Sequence, residues 1–226
     1  MHIHQECSPQ AHHRGLIWSE LLHHFPYAIM SLALGFIVLS FLHVCAFHGV
    51  EPRMAAKGAR VLFHSFHFLH IMFAISGSLV MFLRFSSDAI KGALVSIISS
   101  LFFCTISDVI VPYLSGILLG VPMRFHICLF SEIHNILPFI VVGILNGIVV
   151  GRHGAHVKGV YVLGSHFSHI LISALASLSY LISEGLYSWH HEMGVLFIYQ
   201  VIGVLIPCTL ADVVVPLFFA KARPRV

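Results

Sequence analysis

Nine residues carry the first sign of chemistry. Cys104-Thr105-Ile106-Ser107-Asp108-Val109-Ile110-Val111-Pro112 sets a carboxylate inside an apolar run, four residues ahead of a proline. The string returns 104 residues later as Cys208-Thr209-Leu210-Ala211-Asp212-Val213-Val214-Val215-Pro216, with Cys, Thr, Asp, two Val and Pro in place. Within lipid an ionisable side chain is costly, so it faces the bundle interior and marks a functional path. Pro112 and Pro216 have no N–H, so the carbonyls of Asp108 and Asp212 lose their usual helical partner. Each motif therefore predicts a carboxylate and an unpaired backbone oxygen at one residue, two hard donors that suit a cation.

Histidine supplies the second half of a ligand set. The chain has 19 His against 9 Asp and Glu together. His64-x-x-His67 and His166-x-x-His169 each put two imidazoles one turn apart on one helical face. Glu20, His23 and His24 stand ahead of Pro26 much as Glu132 and His134 stand ahead of Pro138. Neutral imidazole with carboxylate binds first-row divalent cations, of which Zn, Fe and Mn are the expected class. One HxxH alone would equally suit a packed, hydrogen-bonded pair; the duplicated set favours metal. The expected ligands are His64, His67, Asp108, Glu132 and His134 in one cluster. Glu20, His23, His24, His166, His169 and Asp212 form the other. His70, Cys104 and Cys208 lie one turn away on the same faces and are weaker candidates. Asn135 and Ser168 are expected to orient ligands.

These residues need a scaffold, and composition names its solvent. Of 226 residues, 58% are hydrophobic and 9% charged, with mean hydropathy +0.94. That excludes an ordinary water-soluble domain and marks an all-α polytopic membrane protein. The length holds about six membrane helices and short loops. The apolar runs place them near 19–47, 61–84, 92–119, 126–151, 160–183 and 193–220. The 12 Lys and Arg are scattered, which argues against nucleic acid as a partner. The five cysteines make no CxxC pair and no disulfide framework is expected.

The duplication divides the chain into a polar His-rich tail at 1–18 and three-helix repeats at 19–122 and 123–226. Three spans per repeat is an odd number, so the second repeat enters the membrane inverted. Such 3+3 inverted-topology repeats underlie many secondary transporters, whose sites lie near the midplane. Arg14, Arg84, Lys91, Arg152, Lys158, Lys221, Arg223 and Arg225 fall on one side, and Arg53, Lys57, Arg60 and Arg124 on the other. The bias predicts cytoplasmic termini in a bacterial inner membrane.

The expected function is divalent transition-metal transport through two pseudo-symmetric His/carboxylate sites, with the lipid bilayer and the metal ions as partners and a homo-oligomer as a further expectation. The alternative is an intramembrane metal-dependent hydrolase acting on lipid or peptide. The Glu, HxxH and Asp set loosely resembles that of membrane-embedded zinc hydrolases, a resemblance that implies a metal-activated water. Two intact clusters argue for transport, since a hydrolase needs one. Axial haem ligation fits less well, because two His one turn apart crowd a porphyrin edge.

Overall fold

The computed structural model describes residues 9–47, 49–153 and 155–220. Within them every regular element is helical, and six segments are long and apolar enough to cross a membrane. These are span one (Phe25–Cys45), span two (Pro52–Phe85), span three (Ala89–Leu118), span four (Ile133–Gly151), span five (Val160–Ser183) and span six (Trp189–Phe219). His2, His4 and Cys7 of the expected tail, and Lys221, Arg223 and Arg225 of the charge bias, lie outside the described residues. Residues 9–18, expected as part of that tail, are the start of the helix Pro9–Leu42, which forms most of span one.

Span two starts earlier than its hydropathy suggests. Pro52 sits in the first turn, where its fixed φ suits a helix and its missing N–H costs nothing. The Met, Ala and Lys residues that follow are strong helix formers. Arg53, Lys57 and Arg60, read from sequence as loop residues, therefore ride on the helix.

Spans two and five form the centre. Phe63 meets Tyr180 with ring centroids 4.9 Å apart, His70 meets His169 at 4.2 Å, and Ser76 Oγ lies 2.7 Å from Tyr161 Oη. Residue numbers rise on one helix as they fall on the other, so the two run antiparallel. Span four packs on span two and span one packs on span five. Both contacts use small residues. In lipid no hydrophobic force draws helices together, so close backbone approach must supply the packing. Gly143, Gly147 and Gly151, spaced four apart on span four, face span two. A Cβ on Gly143 would stand 2.8 Å from the Met72 carbonyl oxygen, and one on Gly147 2.9 Å from the Leu79 side chain. On the other side, a Cβ on Gly35 would lie 3.2 Å from Ala174, and the Ser31 hydroxyl donates to the Phe167 carbonyl at 2.5 Å.

The two Asp-x-x-x-Pro motifs take the same shape. Ile106–Ile110 and Leu210–Val214 are π-helical turns inside spans three and six. The Val111 N–H donates to the Ile106 carbonyl, and the Val215 N–H to the Leu210 carbonyl, each five residues back. The proline that follows cannot donate, so the chain widens by one residue there. Asp108 and Asp212 thereby sit on the wide part of the turn and are buried.

The packing makes a stability prediction. Gly143→Leu must push against the Met72 backbone and should cost about 2 kcal/mol. Gly164→Leu, with nothing within 4 Å of its Cβ position, should cost far less. Thermal unfolding in detergent compares the two.

Candidate metal centre

The centre is built from two His–Asp triads. In the first, the Nδ1–H groups of His67 and His70 donate to Asp108 Oδ2 at 2.8 and 2.7 Å. The two imidazoles lie one turn apart on span two, and the π-turn of span three presents the carboxylate between them. The other oxygen, Oδ1, takes Ser107 Oγ at 2.9 Å and Ser173 Oγ, from span five, at 2.7 Å. Ser107 Oγ also lies 3.2 Å from the Cys104 carbonyl. Its single proton goes to the nearer, charged acceptor. Asp108 thus has four donors around a carboxylate with no exposed surface.

The second triad repeats the first with a difference. His166 and His169 donate through Nδ1 to Asp212 Oδ2 at 3.2 and 2.5 Å. Here Oδ1 finds no hydrogen-bond partner among the described residues, although it is buried. The sequence shows part of the reason: Ala211 stands where Ser107 stands in the first motif. A buried carboxylate oxygen without a donor is expensive, and a positive ion satisfies it.

The triads meet. His70 and His169 stack at 4.2 Å between ring centroids. Both His70 and His169 give Nδ1–H to a carboxylate, so each Nε2 carries a lone pair directed away from it. The thiols of Cys104 and Cys208 converge on His70 Nε2 at 3.6 and 3.5 Å. His169 Nε2 is buried and has no hydrogen-bond partner within 3.5 Å among the described residues. One ligand atom each from His70, Cys104 and His169 lies within 4.8 Å of the others. The same holds for His67, His70 and Asp108, and for His166, His169 and Asp212.

The buried His, Asp and Cys groups can hold a metal ion. Imidazole and thiolate suit zinc-like cations. A carboxylate that accepts Nδ1–H fixes a histidine's tautomer and aims Nε2 at the ion. Asp108 and Asp212 do this for their histidines, and Asp212 Oδ1 is itself open.

The remaining candidates whose side chains are described lie apart from this centre. His64 is half-buried one turn from His67, but its Nδ1–H donates to the Arg60 carbonyl at 2.9 Å, not to Asp108. It faces His126, with ring centroids 6.0 Å apart. Glu132 lines cavities beside His64 and accepts from Asn135 Nδ2 at 2.6 Å. His134 and His23 are exposed, and His23 stands 6.1 Å from the Tyr27 ring. The side chains of Glu20 and His24 lie outside the described residues. Beyond the spans, burial pushes the Cys128 thiol up to about 12, with the negative charges of Glu132 and Asp108 adding to it.

Sequence matching pairs His64/His67 with His166/His169, whereas the fold sets His67/His70 against Asp108. His67 precedes Asp108 by 41 residues and His166 precedes Asp212 by 46. The five-residue difference, more than a helical turn, comes from the longer connection between spans five and six together with the 3₁₀ turn Trp189–Glu192 that opens span six. The stripe His64, His67, His70 held the signal, since any adjacent pair of it is one turn apart.

No protein family, curated protein or solved structure matches this chain.

The unequal surroundings of the two carboxylates predict unequal costs. Asp108→Ala strands four donors and should destabilise by about 3 kcal/mol or more. Asp212→Ala strands two and should cost clearly less. Melting temperatures of the two variants in one detergent give the comparison.

Proposed function

We propose that this chain is an integral-membrane transporter of divalent transition metals, with the ion held midway across the bilayer between Asp108 and Asp212. The observation that carries the reading is the meeting of two His–Asp triads at His70 and His169, deep in the bundle, beside two thiols and an unpartnered Asp212 oxygen. A resident structural site needs one set of ligands. Two sets in series, sharing a middle, suit an ion that steps from one to the other.

The repeats support an inverted twofold. Phe63 lies four residues before His67, Val162 four before His166; Tyr180 lies eleven after His169, Met81 eleven after His70. Phe63, Val109 and Tyr180 share one core cluster, and Val162, Val213 and Met81 share another. An axis through the His70–His169 contact, in the membrane plane, relates these clusters. It relates span four on span two to span one on span five as well. Transporters built this way open alternately to each side by rocking one repeat against the other. The expected orientation has both termini in the cytoplasm, in a bacterial inner membrane. The expected cargo is zinc, iron or manganese, of which the two thiols favour zinc.

Metal and proton should exchange. A thiol must lose its proton to bind a cation, so cation arrival at Cys104 or Cys208 frees a proton on that path. The hydrolase alternative is opposed by burial: Asp108, His70 and His169 have no exposed surface from which to meet a lipid or peptide bond.

Zinc uptake into proteoliposomes tests the proposal. Wild-type protein should carry zinc, and Asp108→Asn combined with Asp212→Asn should reduce the flux to that of protein-free vesicles. Undiminished flux in the double variant would falsify the reading. Flux should also fall as the pH is lowered, because protons and metal compete for the same thiols and imidazoles.

A further inference from the structure

A second group of ligands lies outside the buried centre. It stands at the end of the bundle where span two begins and span four begins, and it joins side chains from three segments: His64 on span two, His126 in the connection after span three, and Cys128 in the short helix that follows. One ligand atom of each lies within 4.8 Å of the others. The geometry of His64 is that of a prepared ligand. Its Nδ1–H is committed to the Arg60 carbonyl at 2.9 Å, which leaves Nε2 as the lone-pair nitrogen. That atom is buried and makes no hydrogen bond among the described residues. A backbone carbonyl holding the far nitrogen is how metal-bound histidines are oriented. His126 is exposed and its ring stands edge-on to His64. Its Nε2 lies 3.3 Å from Ser131 Oγ, a contact that a turn of the ring exchanges for an ion. Cys128 is 1% exposed.

We propose that His64, His126 and Cys128 form a separate binding site for a zinc-like divalent cation. Two imidazoles and one sulfur with an open fourth position match the ligand habits of zinc and cadmium. Glu132 and His64 line one cavity of about 370 Å³ with His126, large enough for a hydrated ion to reach them. Two arginines border that cavity and would repel a cation if left bare. Both are held by one acid: Glu184 accepts from Arg60 at 3.2 Å and from Arg124 at 3.1 Å. Glu184 offsets one of the two charges and Glu132, on the same cavity, offsets the other, so the cavity does not repel a cation. His64 stands one turn from His67, so an ion here waits next to the first triad. The role of loading station rests on the transport reading; the site itself does not.

Zinc bound per chain, measured by equilibrium dialysis and elemental analysis of the full-length protein in detergent, tests the site. Three proteins are compared: wild type, His126→Ala with Cys128→Ser, and His169→Ala with Asp212→Asn. The N-terminal histidines are common to all, so their share cancels. The outer double variant should bind one equivalent fewer than wild type, and the inner one should keep that equivalent. Equal zinc in wild type and the outer variant overturns the site. If Cys128→Ser does not fold, His126→Ala alone, at an exposed position, should weaken the outer equivalent about tenfold or more; unchanged affinity overturns the site in the same way. Loss of the outer equivalent in a protein that carries no zinc across vesicles would sustain the site and refute transport. Full transport with no such loss would do the reverse.

Discussion

A carboxylate buried in a membrane bundle must be surrounded by donors or by a cation, and that requirement organises this molecule. Asp108 and Asp212 cannot reach water. Each is met by two imidazole N–H groups one turn apart on a neighbouring helix. The contact fixes helix register, because a slip of span two by one turn would withdraw a histidine from Asp108 and bury its charge unpaired. It also fixes the local backbone. The proline four residues on widens the helix into a π-turn, and the widened turn sets the carboxylate between the two rings. Sequence motif, backbone irregularity and side-chain cluster are one feature seen at three scales.

The two triads are similar in plan and different in finish. The first carboxylate is saturated by Ser107 and Ser173. The second keeps an oxygen without a donor. A symmetric pair would hold an ion equally at either end or at neither. The Asp212 carboxylate has an unmet need for positive charge, while the Asp108 carboxylate is satisfied without it. Between them the His70–His169 contact brings a histidine of each triad within one ligand sphere of the Cys104 thiol.

Much of this was legible in the chain. Composition alone announced six membrane helices, because no soluble fold tolerates so much apolar surface. The repeated Cys-x-x-x-Asp-x-x-x-Pro string marked both carboxylates and both thiols before any geometry. The partner of Asp108 was less legible. Three histidines, His64, His67 and His70, share one stripe, and sequence spacing cannot say which turn faces the motif; helix register and loop length decide that, and both are set by tertiary packing. His126 and Cys128 were invisible as ligands because they lie in a connection with no periodicity, and only folding brings them to His64. The glycine stripe Gly143, Gly147, Gly151 is plain in the sequence once its partner surface, Met72 to Leu83, is known.

In the proposed transporter a divalent cation rests between Asp108 and Asp212. Anomalous scattering at the zinc edge, from crystals of the full-length protein grown with zinc, locates the ion directly. A peak is expected within bonding distance of the His70 or His169 ring and one of the two neighbouring thiols or carboxylates. Zinc found at the ends of the bundle, with the space around His70 and His169 empty of anomalous density, would contradict it.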